Sequence, residues 1–514
     1  MKSLWLVGGA LLAASCLVST ATRAAADDRV LEIVSPRQIT TLEPMDMGYH
    51  FRRLRVAETL VGMDPAGNLV PELAESWSVG ADGKTWRFKL RAGVRFHDGT
   101  AMTPEIVRAE VEKYRAKSEV LSTAPITGVA LDGNDLLVTI SEPFSLLPAY
   151  FTDATAIILA PSSFAPDGST KAVVGTGPYR VTAIDGKSSI SLEAFPDYWG
   201  EKAHIAKVHF TGVPAADTLA NMAESGQADL ILGLPSALKE RVESSGRAQV
   251  KEVQTGRILG FMFDHADPRF DQVEERRALS LAIDRKGIAG VVFRNPESAA
   301  NQLLSAAFPQ WHDGSLPAPE RNVDEAKKLL ASVGWKPGGD GILTQDGKRF
   351  SFTVVVGKQP ELTPLAQALQ AQFREIGVEM DLKPAPSTLI AEAVKNGTFG
   401  AQLARRNYGT VPDPVATLIV DYGRANADKA IWGGVNYDNP DFEKALNDYV
   451  SSRDDAEQGA ARERLVHIIN TDLPILAAAW YVYGVSISNR VDVASVPIDA
   501  IEFGFWIDRV KWAE

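Results

Sequence analysis

The only cysteine in 514 residues, Cys16, sits inside an apolar leader, so the rest of the chain must hold itself together without disulfides. Lys2 gives a short positive start, and Leu4 to Val18 is an apolar run too short for a spanning helix, which takes about 20 residues. Ala24, Ala25 and Ala26 supply the small-x-small pattern of a signal-peptidase site, which predicts a leader over 1–26 and cleavage before Asp27. Cys16 follows Ala13-Ala14-Ser15, so lipid attachment at Cys16 is the alternative. Apolar Leu17 and Val18 continue past it, as they would inside an uncut leader. At ~100–200 residues per domain, the exported chain should form two to four domains.

Strand and helix signals then alternate to the C-terminus without an internal repeat, the pattern of a mixed α/β fold. Thr85 to Leu90 reads TWRFKL, with Trp86, Phe88 and Leu90 on one face, which predicts a half-buried strand. Gly128 to Leu131 and Leu136 to Ile140 flank Asp132-Gly133-Asn134-Asp135 as a β-hairpin. Asn322 with Glu325 forms a capping-box pattern that opens a helix over Val323 to Val333, closed by Gly334. Phe442, Ala445, Leu446, Tyr449 and Val450 share one helical face, and Leu465, Ile468 and Ile469 form another. The Gly- and Pro-rich stretches 303–319 and 336–347 read as surface connections.

The formal charge of −12, without a basic block, argues against nucleic acid or an anionic membrane as partner. No G-x-S-x-G elbow or H-E-x-x-H motif occurs. Asp82-Gly83-Lys84-Thr85 mimics the end of a phosphate loop, but Ser78 stands where its first glycine belongs. No cofactor is therefore expected. A secreted hydrolase working through paired carboxylates stays open as the rival class, and a chemoreceptor-linked sensor as a second.

Ala74 to Gly99, AESWSVGADGKTWRFKLRAGVRFHDG, resembles the signature of solute-binding protein family 5. GTGPY at 175–179, DYWGEK at 197–202, SGQADL at 225–230, RRALSLAIDRKGI at 276–288 and DEAKKLLASVGW at 324–335 follow in the family's order. The resemblance implies a bilobal periplasmic binding protein of type II with an additional domain in its N-terminal half and a ligand cleft between lobes. Domain I would comprise 27–62, 175–263 and 490–514, domain II 63–174, and domain III 264–489. It further implies a monomeric, non-enzymatic receptor that delivers a small polar solute to the permease and ATPase subunits of an ABC importer.

The segment Arg405-Arg406-Asn407-Tyr408-Gly409-Thr410-Val411-Pro412-Asp413-Pro414 is similar to the family's second ligand-binding segment. Peptide-binding relatives carry an aspartate where Thr410 stands, and a hydroxyl cannot neutralise a buried ammonium. This disfavours ordinary peptides, and the spacing of the segment, with an Arg, two further residues and a Gly before Asp413-Pro414, is nearer that of the nickel-binding branch. The match there is incomplete: no histidine follows Asp413-Pro414 until His467, and Asp153-Ala154-Thr155-Ala156 stands where an arginine belongs. The ligand reading is therefore a metal chelate, such as a nickel–chelator complex, or a peptide-like compound. The expected contacts are Tyr49, His50 and Arg52 before the Ala57-Glu58-Thr59-Leu60 landmark, then Arg405, Arg406, Asn407, Tyr408 and Thr410, and finally Trp432 and Asn436. Only one of Arg52 and Arg53 can point inward with Tyr49 and His50 on a helix. His50 is the one candidate for a metal ligand, and Asp413 is expected to shape the turn before Pro414.

Overall fold

The structure, a computed structural model, describes residues 29–186, 188–317, 319–357, 359–384, 389, 396, 400–423, 436–496, 498 and 506–514. The leader with Cys16, and Trp432, lie outside the described residues. An α/β architecture emerges, and its frame is one ten-stranded mixed sheet. From edge to edge its strands are Glu379–Pro384, Ser351–Val356, Ala401–Asn407, Ala248–Phe263, Ile475–Ser488, Leu230–Leu234, Val30–Ser35, Lys207–Gly212, Ser189–Ala194 and Tyr179–Asp185.

The two central strands are 16 and 14 residues long and run antiparallel through both halves of the sheet. Residues 248–254 pair with 482–488 in one half, and 258–262 pair with 475–480 in the other. Between them Thr255, Gly256 and Arg257 are set against Tyr481, a bulge that bends the strand and turns its side chains. Each half has its own core. Leu31, Ile33, Phe51, Phe210 and Val485 fill one, and Phe261, Phe263, Phe350, Leu369 and Leu403 fill the other. Burying each such side chain contributes about 1.5–3 kcal/mol, which lets each lobe cohere without a disulfide.

A separate four-stranded antiparallel sheet, in the order Ala74–Val79, Thr85–Leu90, Asp135–Ile140, Ile126–Asp132, lies within the N-terminal half. Trp86, Phe88 and Leu90 are buried, as the alternation predicts, while Arg87 bonds Asp132 and Asp135 on the other face. Asp132 pairs with Asp135 across a two-residue turn in which Gly133 takes φ +60°, so this hairpin needs its glycine. The Asn322 side chain accepts from the Glu325 amide at 3.0 Å and caps the helix Val323–Ser332.

Two stretches differ from the sequence reading. Residues 336–349 form a small three-stranded sheet, Lys336–Pro337, Leu343–Gln345 and Lys348–Arg349. Within 303–319, Leu303, Leu304, Phe308 and Trp311 are buried, because they join the four-stranded sheet's core to the helices Pro440–Ser451 and Asp455–Asp472. Apolar residues spaced irregularly among glycines and prolines carry no period to reveal that burial.

The interlobe cleft as candidate binding site

Four strand ends meet where the lobes face each other. Val30–Ser35 and Leu230–Leu234 run parallel in one half, and Ser351–Val356 and Ala401–Asn407 run parallel in the other. Their C-terminal ends bring Ser35 to Arg37, Gly233 and Pro235 to Leu238, Gln359 to Glu361, and Arg405 to the walls of one cavity of about 720 Å³. Crevices at the carboxyl ends of parallel strands are where open α/β sheets bind ligands. The helix Pro44–Arg53 adds Tyr49, His50 and Arg53, and the central bulge adds Arg257. Tyr481 and Tyr483, two residues apart on the strand Ile475–Ser488, lie along the floor.

Cations and rings alternate across this floor. The Arg53 guanidinium lies 5.0 Å from the Tyr49 ring centre and 4.9 Å from that of Tyr483, whose hydroxyl accepts from Arg53 Nη1 at 2.8 Å. The Tyr483 and Tyr481 centroids are 6.5 Å apart, and the Arg405 guanidinium stands 4.8 Å from Tyr481. Arg405 Nη1 also donates to Glu361 Oε1 at 2.9 Å. Glu361 stands before the 14-residue helix Leu362–Glu375, whose positive end therefore faces the cleft. His50 is buried, and desolvation, followed by the charges of Arg37 and Arg53, lowers its pKa to about 3. The imidazole is thus neutral at any physiological pH. Its Nδ1 has no hydrogen-bond partner.

Tyr49, His50 and Arg405 thus line the cleft, and several other expected contacts do not. On the helix Pro44–Arg53 it is Arg53 that joins Tyr49, while Arg52 turns away to Glu72 at 2.7 Å. Strand alternation separates Arg405 from Arg406. Arg406 points to the opposite face and is buried against Asp421, with Nη2 2.6 Å from Oδ1, and within 3.3 Å of Glu119. Tyr408 follows Arg406 onto that face, fully buried beside Asp421 and Tyr422. Asn407 Oδ1 accepts from the Gly409 amide at 2.9 Å, and Thr410 Oγ1 lies 3.0 Å from Thr417 Oγ1, so both serve their own turn. Asn436 donates to Asp264 at 2.7 Å on the surface of the second lobe. Asp413 accepts from the Val415 amide at 2.9 Å and from the Tyr449 hydroxyl at 2.7 Å, the turn-shaping role its sequence suggests.

Arg37, Arg257, Glu361, Tyr481 and Tyr483 were not expected in the site. Their signals were faint: Pro36-Arg37 after a strand, Gln359-Pro360-Glu361 before a helix, and alternating aromatics in Trp480-Tyr481-Val482-Tyr483. Among the described residues no group of three or more His, Cys, Asp or Glu side chains could hold a metal ion. No described helix is long and apolar enough to cross a membrane.

Two lobes joined by crossing strands, with a lined cleft between them, define the architecture of a ligand-capturing binding protein. Residues 68–429 match the family described as bacterial extracellular solute-binding proteins, family 5 Middle, and the chain belongs to that family. The nickel-binding periplasmic protein of Escherichia coli K12 is 24% identical over 510 residues, covering 94% of this chain and 96% of that protein. The solved structure of NikA from Staphylococcus aureus in complex with Ni(L-His)2 superposes with a TM-score of 0.78 at 20% identity, covering 95% of this chain and all of that one. The binding protein AgaA in complex with agropinic acid, from Agrobacterium tumefaciens R10, gives 0.80 at 20% identity, covering 95% of this chain and 99% of its own.

Proposed function

We propose that the protein is the extracytoplasmic, periplasmic receptor of an ABC importer, exported by its leader, which captures a small solute in the interlobe cleft and presents the closed form to the permease and its ATPase partner. The cleft carries this reading: both lobes contribute charged and aromatic side chains to one cavity at the bulge that joins them. Domain I would be 27–62, 175–263 and 490–514, domain II 63–174 and domain III 264–489, acting as a monomer with the hinge at 255–257. The candidate solutes are a metal chelate or a peptide-like compound. With one neutral imidazole and no acidic ligand cage among the described residues, a metal would arrive already wrapped by its chelator. The role is binding without bond chemistry.

Native mass spectrometry of protein purified from its own cells should show a bound small molecule. Adding that molecule to stripped protein should raise the melting temperature and shrink the radius of gyration in small-angle X-ray scattering. Turnover of the molecule, abolished by substituting one carboxylate, would replace this reading with the hydrolase.

A further inference from the structure

The two lobes also meet away from the cleft. The domain built on the four-stranded sheet is fastened to the first lobe: Glu72 takes Arg52 and Arg55, the His97 amide donates to the Gly175 carbonyl at 3.0 Å, and a Cβ on Gly48 would lie 2.0 Å from the Ala154 carbonyl oxygen. Backbones packed that closely move as one body. From this domain the stretch 144–150 reaches the second lobe. Phe144, Leu146 and Tyr150 share one apolar core with Trp311, Phe442 and Tyr449, and all six are buried. Between Phe144 and Leu146, the Ser145 amide donates to the Val450 carbonyl at 2.7 Å, and Gln458 Nε2 donates to Ser145 Oγ at 2.9 Å. Exposed Glu119 reaches Arg406 at 3.3 Å, a pair too solvated to hold the lobes by itself.

Cleft and seam differ in kind: the cleft encloses about 720 Å³, whereas the seam is filled by apolar side chains. Rotating one lobe against the other about residues 255–257 must shear the seam, and parting it would bring Phe144, Leu146 and Tyr449 into water at a free-energy cost. We propose that this seam is a latch, which holds the lobes of the empty protein at the angle seen here, so that the hinge turns only when the seam yields. A solute then acts through its unequal affinity for the latched and unlatched forms. The inference rests on the receptor reading above and adds the contact that gates its cleft.

The two edges of the ten-stranded sheet belong to different lobes, so the span between them reports the lobe angle. At about 4.8 Å per strand, exposed Ala183 on one edge strand and exposed Lys383 on the other lie roughly 40 Å apart. The full chain with Cys16→Ser, Ala183→Cys and Lys383→Cys is spin-labelled at its two thiols, stripped of solute, and measured by double electron–electron resonance. The parent should give one narrow distance peak. Ser145→Glu from one side of the seam and Val450→Asp from the other should each at least double its width or add a second peak, at unchanged far-ultraviolet circular dichroism. Where a charged variant fails to fold, Ser145→Ala and Val450→Ala replace it and are read the same way. The parent's peak retained in both folded variants, or a parent already as broad as they are, overturns the latch. A peak that stays put while native mass spectrometry finds a bound solute defeats the latch and spares the receptor reading. A peak that broadens in a protein that turns its solute over supports the latch and defeats the receptor reading.

Discussion

Two neighbouring arginines, Arg52 and Arg53, enter different environments, a carboxylate network and the wall of the interlobe cleft. Arg52 joins Arg55, Glu58, Glu72 and Asp508 around a small cavity of about 210 Å³ beside the cleft. There cations meet carboxylates: Glu72 takes Arg52 at 2.7 Å and Arg55 at 3.2 Å, and Asp508 takes Arg55 at 3.1 Å. Arg53 instead lies between two tyrosine rings. A guanidinium neutralised by buried carboxylates has no charge left to offer a solute. Arg53 is held at the cleft wall by the rings of Tyr49 and Tyr483, each of which attracts a cation through its face.

The sharpest way to break this contrast is Glu72→Ala. Glu72 also accepts from the Thr59 amide and hydroxyl, both at 3.0 Å, so its loss removes the carboxylate of Arg52, leaves Arg55 with Asp508 alone and strands the Thr59 amide. Stability should fall by about 3–5 kcal/mol in urea denaturation, with solute affinity of the remaining folded protein little changed. A loss below 1 kcal/mol (about the value of an exposed pair) would show the network to be solvated. Arg406→Ala should behave the same way on a smaller scale. Removing the partner of fully buried Asp421 should cost about 3 kcal/mol of stability and leave solute binding near that of the parent. A selective loss of affinity at unchanged melting temperature would return Arg406 to the site.

The two regions also titrate in opposite senses. Burial, then the neighbouring Glu72 charge, raises Glu58 to about 7, although the Thr176, Tyr198 and Trp199 side chains donate to it. Because its folded pKa exceeds its ordinary value of 4.5, the folded state holds the proton longer, and stability declines as pH rises from about 4.5 to about 7. His50 has a folded pKa of about 3 against 6.5, so its contribution declines as pH falls below about 6.5. Denaturation curves across pH 4–8 should therefore differ from the parent with opposite slopes in Glu58→Gln and His50→Gln, an effect smaller than either substitution above. Parallel slopes would remove the distinction between the two environments.

Much of the frame was legible in the sequence, and far less of the cleft. The alternation in TWRFKL, the turn at Gly133 and the cap at Asn322 are local signals, and each element formed where its period placed it. The family motifs identified the two-lobed class. Site residues depend on which face of an element meets the other lobe. Arg405 and Arg406 look equivalent in a string, and only the pleat of the strand decides between them. Arg257 reaches the cleft through a bulge formed against Tyr481, more than two hundred residues away in the chain, and Arg37 through a turn after a strand. Such placements are set by long-range pairing, which no local window contains.

The central pair of strands has a consequence for how the molecule can be divided. Each lobe owns only half of Ala248–Phe263 and half of Ile475–Ser488, and both strands cross from one lobe to the other. Neither lobe is therefore a module that can be excised, transplanted or expressed by itself. A truncation ending inside either strand would expose an unpaired edge through the middle of what had been one sheet, a ready template for association with other chains.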